Sequence, residues 1–98
     1  MAFVQVIEMT TTKAPEVEEL MRQWMAATEG RRSARRSLLT QDRDDPDTYV
    51  QVVEFPSYEE AMANSALPET TAFAEKLSAL CRTGPSFRNL DVVRTDDL

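Results

Sequence analysis

Histidine is missing from all 98 residues of this chain. Its absence removes the commonest metal ligand, the commonest general base and the usual axial ligand of heme. Cysteine occurs once, as Cys81. No internal disulfide can form, and a lone thiol fits a reducing compartment, so a cytoplasmic location is expected. No apolar run approaches the roughly 20 residues of a membrane span. The opening residues, Met1 to Gln5, carry neither the basic nor the apolar region of a signal peptide. Positive charge is in deficit, 11 Lys and Arg against 17 Asp and Glu, giving a formal net charge of -6. That balance argues against nucleic acid and against anionic membrane surfaces as partners. No Ser-His-Asp, Cys-His, phosphate-cradling or zinc-ligand pattern is present. No Pro/Gly/Ser-rich linker interrupts the chain, so residues 1–98 read as one domain.

What is present is a repeat. Phe3-Val4-Gln5-Val6-Ile7-Glu8-Met9 recurs as Tyr49-Val50-Gln51-Val52-Val53-Glu54-Phe55, with four positions identical and three conservative. Each copy reads as a strand and is followed by a helix signal. A strand-helix-strand unit given twice predicts an α+β, ferredoxin-like βαββαβ domain with a four-stranded antiparallel sheet. Both faces of each repeated strand are apolar, whereas a strand wet on one side alternates cleanly. One face is expected to take the helices and the other a second copy of the chain, making a homodimer through the sheet.

The remaining elements follow from periodicity and punctuation. After the first strand, residues 3–10, Val17, Leu20, Met21, Trp24 and Met25 fall on one helical stripe behind Pro15, and Gly30 stands where a C-cap is expected. Residues 34–41 read as strand two, the acidic run Asp42 to Asp47 as a turn, and residues 48–55 as strand three. Ser57-Tyr58-Glu59-Glu60 is a capping box that opens a short helix ending near Asn64-Ser65. Pro68 opens another, with Thr70, Phe73, Ala74, Leu77, Leu80 and Cys81 on a stripe, and Gly84-Pro85 is expected to stop it. Strand four is expected over Ser86 to Arg94, followed by a frayed tail.

This succession, with Glu54-Phe55-Pro56-Ser57-Tyr58-Glu59-Glu60-Ala61-Met62 and the later Pro68, Phe73 and Leu77, resembles the antibiotic biosynthesis monooxygenase family of dimeric α+β barrels. The resemblance implies a hydrophobic pocket between helices and sheet in each subunit. It also implies activities that include cofactor-free oxygenation of aromatic polyketides, quinol oxidation and heme degradation. This sequence departs from the family where an aromatic and a histidine are often found, having Met62 and Asn64-Ser65 there. The heme-degrading branch also uses an asparagine on the first strand, where Gln5 and Ile7 stand, and without histidine that branch is excluded.

Several residues are candidates for a site. Gln5 and Gln51 share a sheet face with Phe3, Ile7, Tyr49 and Val53 by the period-two rule. They either orient a carbonyl or phenol of a ligand or satisfy each other and a nearby loop. Tyr49 offers a hydroxyl as proton donor. Trp24 and Phe73 offer stacking walls for an aromatic substrate, with core packing as the plainer role. Asn64 is a helix cap or a polar pocket group. Among the basic run Arg31, Arg32, Arg35 and Arg36, the last is the preferred candidate to hold a carboxylate or stabilise a phenolate, against the alternative of edge-strand protection. Glu8 and Glu54 fall on the opposite face and are expected at the dimer, paired with arginines of the partner.

The expected activity is cofactor-independent oxygenation of a small phenolic or polyketide-like aromatic, with Tyr49, Gln51 and Arg36 as catalytic candidates. Gln5, Trp24, Asn64 and Phe73 are the substrate-binding ones. No cofactor and no metal are expected. The alternatives are a non-catalytic dimer that binds a small hydrophobic ligand, and an isomerase or cyclase on the same scaffold.

Overall fold

In the computed structural model, which describes residues 2–98, the two copies of the repeat lie side by side at the centre of a four-stranded antiparallel sheet. They are β1 (Phe3–Thr10) and β3 (Thr48–Phe55), with the bounds the repeat predicts. β2 (Arg36–Gln41) pairs with the outer edge of β3 and β4 (Thr83–Asp91) with that of β1, giving the order β2-β3-β1-β4. α1 (Ala14–Ala27) connects β1 to β2, while α2 (Tyr58–Ser65) and α3 (Pro68–Leu80) connect β3 to β4. The layout is ferredoxin-like, with the second crossover divided into two helices.

The register exposes the symmetry of the repeat. Val6 lies directly opposite Val52, and these are also equivalent positions of the two copies. A local two-fold axis therefore passes between them. Gln5 consequently faces Val53 and Gln51 faces Ile7, so the two amides are set diagonally rather than side by side.

All three helices cover one face of the sheet. Phe3, Ile7, Met9, Val53 and Phe55 of that face form a single core with Val17 and Leu20 of α1, Ala61 of α2 and Leu77 of α3. Burial of each large apolar side chain contributes about 1.5–3 kcal/mol. Phe3 is clamped by Phe55 at 6.3 Å between ring centres and by the edge of Tyr58 at 5.6 Å. The other face carries Val4, Val6, Val50 and Val52, all half-buried, with Leu38 and Leu90 exposed at the flanks, and no helix packs on it.

Local signals set the helix starts. Pro15 and Pro68 stand in the first turns of α1 and α3, where the missing N–H costs nothing. Ser57 caps α2 by accepting from the Glu60 amide at 3.2 Å. The ends differ from expectation. Thr28, not Gly30, is the C-cap of α1, and its hydroxyl donates to the Trp24 carbonyl at 2.7 Å. Helix α3 stops at Leu80 without help from Gly84-Pro85, which lies inside β4.

Strand β4 begins three residues earlier than expected and stops at Asp91, because its extent is fixed by its partner. Asp91 pairs with Phe3, the first residue of β1, and beyond it only the Val92 amide finds an acceptor, on Ala2. Val93, expected as strand, is left 90 % exposed. Strand β2 likewise begins at Arg36 rather than at residue 34, although the Arg35 amide already donates to the Glu54 carbonyl at 2.8 Å. At the start of β4, Gly84 has φ +85 and its Cα is so close to β1 that a Cβ would sit 2.7 Å from the Glu8 carbonyl oxygen. Only glycine fits there.

Candidate functional site

Between the helices and the covered face of the sheet lies a cavity of about 470 Å³. That is within the range of roughly 300–1,000 Å³ typical of small-molecule sites. Its floor is the central pair of strands, through Gln5, Ile7, Gln51, Val53 and Phe55. Ser37 of β2 and Phe87 of β4 border it from the sheet edges. Helix α1 contributes Met21, Trp24 and Met25, α2 contributes Asn64 and Ser65, and α3 contributes Thr70, Thr71, Phe73 and Ala74. The segment between α1 and β2 closes one side with Arg32, Ala34 and Arg35.

The aromatic wall comes from the helical stripes. Val17 and Leu20, the first residues of the α1 stripe, reach the core and are buried. Trp24, one turn further, is only half-buried and opens on the cavity. Its ring lies 6.1 Å from that of Phe73, tilted by 48°. Its indole N–H donates to the Thr70 hydroxyl at 2.9 Å, which joins α1 to α3. The Arg32 guanidinium sits 5.9 Å from the Trp24 ring centre, in cation–π range.

The polar groups are few. Gln51 is 6 % exposed and its amide donates to the Ser37 hydroxyl at 2.9 Å. Gln5 donates to the Asn89 side-chain oxygen at 3.1 Å. Each amide thus turns outward to its neighbouring edge strand, and the mutual pair considered from the sequence does not form. Asn64 is 6 % exposed, and its Oδ1 is buried with no hydrogen-bond partner among the described residues. The side chain does not cap α2; Ala66 occupies that position. Buried oxygens are nearly always paired, so an orphan at a cavity wall is poised for a donor on a ligand.

Gln5, Trp24, Gln51, Asn64 and Phe73 are thus brought together around one cavity. Two other candidates are placed differently. Tyr49 does not border the cavity: it lies opposite Met9 near one end of the sheet, and its hydroxyl accepts from Gln41 at 3.2 Å. Arg36 touches the cavity margin, but its guanidinium pairs with Glu54 at 3.0 Å across the uncovered face. Alternation set Arg36 with Leu38, and that row points away from the helices. Glu54 therefore finds its arginine within its own chain rather than on a partner. Arg32 and Arg35 border the cavity instead.

No Asp, Glu, Lys, Tyr or Cys is among the cavity-lining residues, so no ordinary acid or base touches a bound ligand. Nearby, Arg31 is committed to Glu69, and this hydrogen bond holds the Glu69 carboxyl below its usual value of 4.5. Cys81 packs against the core, and burial pushes its thiol up, which disfavours the reactive thiolate. Among the described residues, no group of three or more Cys, Asp and Glu side chains is placed to hold a metal. No helix among them is long and apolar enough to cross a membrane.

No family model matches the chain, and no curated protein matches it by sequence. Solved structures do match. SnoaB, a cofactor-independent oxygenase from Streptomyces nogalater, superposes with a TM-score of 0.79 at 21 % identity, over 96 % of this chain and 95 % of its own. An antibiotic biosynthesis monooxygenase superposes with a TM-score of 0.73 at 21 % identity, over 96 % of this chain and 100 % of its own. A conserved protein from Methanosarcina mazei gives 0.79 at 12 % identity, over 92 % and 91 %. At such identities the likeness is one of architecture, and the chain has the ferredoxin-like fold of the antibiotic biosynthesis monooxygenases.

Proposed function

We propose that the protein is a cofactor-independent monooxygenase acting on a small phenolic or polyketide-like aromatic bound in the cavity beside Trp24. The observation that carries this reading is the cavity itself: apolar, about 470 Å³, walled by Trp24 and Phe73, with the unpartnered Asn64 Oδ1 at its edge. The shared fold with SnoaB supports it.

The chemistry follows from what the walls supply. A phenol or anthrone loses its proton to give an electron-rich anion, which reacts with O2 directly. One oxygen atom ends as the new ring carbonyl; the other leaves as water, with the two hydrogens of the reacting carbon in an anthrone, or with its one hydrogen and that of the hydroxyl in a phenol. The apolar walls exclude bulk water, and Asn64 accepts from a substrate hydroxyl, orienting the ring. Because no lining side chain is a base, the substrate gives its proton to water before it is enclosed and binds as the anion. The rate should therefore rise with pH through the acid dissociation of the substrate, not of an enzyme group.

Oxygen uptake with a panel of anthrones and naphthols, with peroxide measured alongside, tests the reading. It predicts consumption well above buffer, one O2 per quinone formed. A rate equal to buffer across the panel would leave a second reading, a non-catalytic ligand-binding protein, which the missing base already favours.

The uncovered sheet face is read as the contact with a second copy. Four half-buried valines flanked by exposed Leu38 and Leu90 are an apolar surface that no helix covers. Light scattering should give twice the 11.1 kDa of one chain, and Val52→Lys should halve it. A wild-type monomer at micromolar concentration contradicts the assignment.

A further inference from the structure

The cavity is bordered by cations and by no anion. Of the arginines around it, Arg31 is paired with Glu69 and Arg36 with Glu54. Arg32 and Arg35 also sit at this site, and no carboxylate among the described residues forms an ion pair with either. Shortage of acid is not the reason, since the chain carries 17 Asp and Glu against 11 Lys and Arg.

Arg32 is held in place without being neutralised. One of its terminal nitrogens donates to the Met25 carbonyl at 2.7 Å, and the guanidinium lies 5.9 Å from the centre of the Trp24 ring. A guanidinium has five N–H donors in a planar fork, so a single carbonyl acceptor leaves most of them unused. Arg35 falls by alternation on the same side of the chain as Ser37, whose hydroxyl meets Gln51 at the cavity floor. A fixed, half-buried fork next to the aromatic wall matches a carboxylate, which it can take through two parallel hydrogen bonds.

We propose that Arg32, with Arg35 beside the same cavity, forms an anion-anchoring subsite, so that the preferred ligand is an aromatic carboxylic acid. The rings lie against Trp24 and Phe73 and the carboxylate on the Arg32 fork. This inference rests on the reading of the cavity as an aromatic pocket and adds to it the charge of the substrate. It also gives the ligand one orientation, since the anionic end is fixed at the arginines. For an overall acidic protein, such a local positive site selects anions at short range while the surface repels them at long range.

The test is calorimetric titration at neutral pH with anthraquinone-2-carboxylate and with its uncharged carboxamide. The carboxylate should bind at least about tenfold tighter, as a charge-assisted pair predicts, and the margin should shrink at high salt. Arg32→Gln should bring the ratio of carboxylate to carboxamide affinity to about one, Arg35→Gln should reduce that ratio in part, and Phe73→Ala should weaken both ligands with the ratio kept. Carboxamide binding that is still saturable in the Arg32 variant shows that the aromatic wall has survived the substitution, and a ratio unchanged from the wild type overturns the Arg32 subsite. Equal binding of the two ligands by the wild type overturns the anion subsite and leaves the aromatic pocket standing. Binding of neither overturns the pocket reading, and the subsite with it.

Discussion

The Trp24 indole N–H and the Thr70 hydroxyl oxygen lie 2.9 Å apart, tying the last turns of α1 to the first turn of α3 beside the cavity. This bond fixes the ring plane against which a substrate would stack. Thr70→Val keeps the side-chain shape but leaves the indole N–H unpaired, at a cost of about 1 kcal/mol. Thermal unfolding should fall by about 4–8 °C, and Thr70→Ser should recover most of the loss. An unchanged melting temperature in the valine variant would show that the bond contributes nothing.

Asn64 is buried with an orphaned oxygen, so its amide brings no evident structural benefit. Replacing it with leucine should change stability by no more than about 1 kcal/mol, since an unsatisfied polar group is exchanged for an apolar one. On the oxygenase reading, turnover should nevertheless drop about tenfold, the rate equivalent of about 1.4 kcal/mol for one orienting hydrogen bond. A large loss of stability with turnover per folded molecule intact would reverse the assignment and make Asn64 a structural residue.

Two glycines separate backbone conformation from space. Gly30 and Gly84 both have positive φ, +79 and +85, but only Gly84 faces a neighbouring strand at 2.7 Å from its notional Cβ. Gly30→Ala should cost about 1 kcal/mol, the left-handed penalty alone. Gly84→Ala adds a clash with the backbone of β1 and should cost about 1–3 kcal/mol more. Urea denaturation of the two variants gives the comparison directly; equal losses would show that β1 and β4 are not in close approach at this point.

The Arg31–Glu69 pair gives the acid limb of stability a defined contributor. Its hydrogen bond lowers the Glu69 carboxyl in the folded state relative to the unfolded chain. The contribution is therefore fully present above about 4.5, the ordinary value, and is lost as pH falls from there through the depressed folded value. Glu69→Gln should flatten the acid limb below that pH. The variant's loss should appear near neutral pH, where the contribution is present, and should be small because the pair is partly solvent-exposed and screened. Denaturant midpoints measured across the acid range decide it, and superimposable profiles for the two proteins would remove Glu69 from the account.

Much of this architecture can be read from the chain. The repeat locates β1 and β3 to within one residue at either end, and the capping box and the two prolines locate the helix starts. The ends of β4 and β2 resist such reading because strand length is set by the partner across the sheet, which no local pattern encodes. The site is legible in part for the same kind of reason. Gln5, Gln51, Trp24, Phe73 and Asn64 lie on regular elements, where period two or 3.6 assigns a face. Arg36 shares its row with Leu38, and its opposition to Glu54 directs it to the uncovered face rather than the pocket. Tyr49 shares the correct face but sits too far along the strand. Arg32 lies in the connection after α1, where no period applies; the only local hint is its place eight residues beyond Trp24, close behind the helix end.

Trp24 is the only tryptophan in the chain and lines the cavity, so its fluorescence reports occupancy without any label. The measurement that tests the central claim most directly is titration of that emission with an anthraquinone, corrected for inner-filter absorption. The account predicts saturable quenching at a stoichiometry of one ligand per chain, shifted to weaker affinity by Phe73→Ala. Emission that does not respond to any phenol, quinone or anthrone would contradict it, and would mean that no aromatic ligand reaches the space between α1, α3 and the sheet.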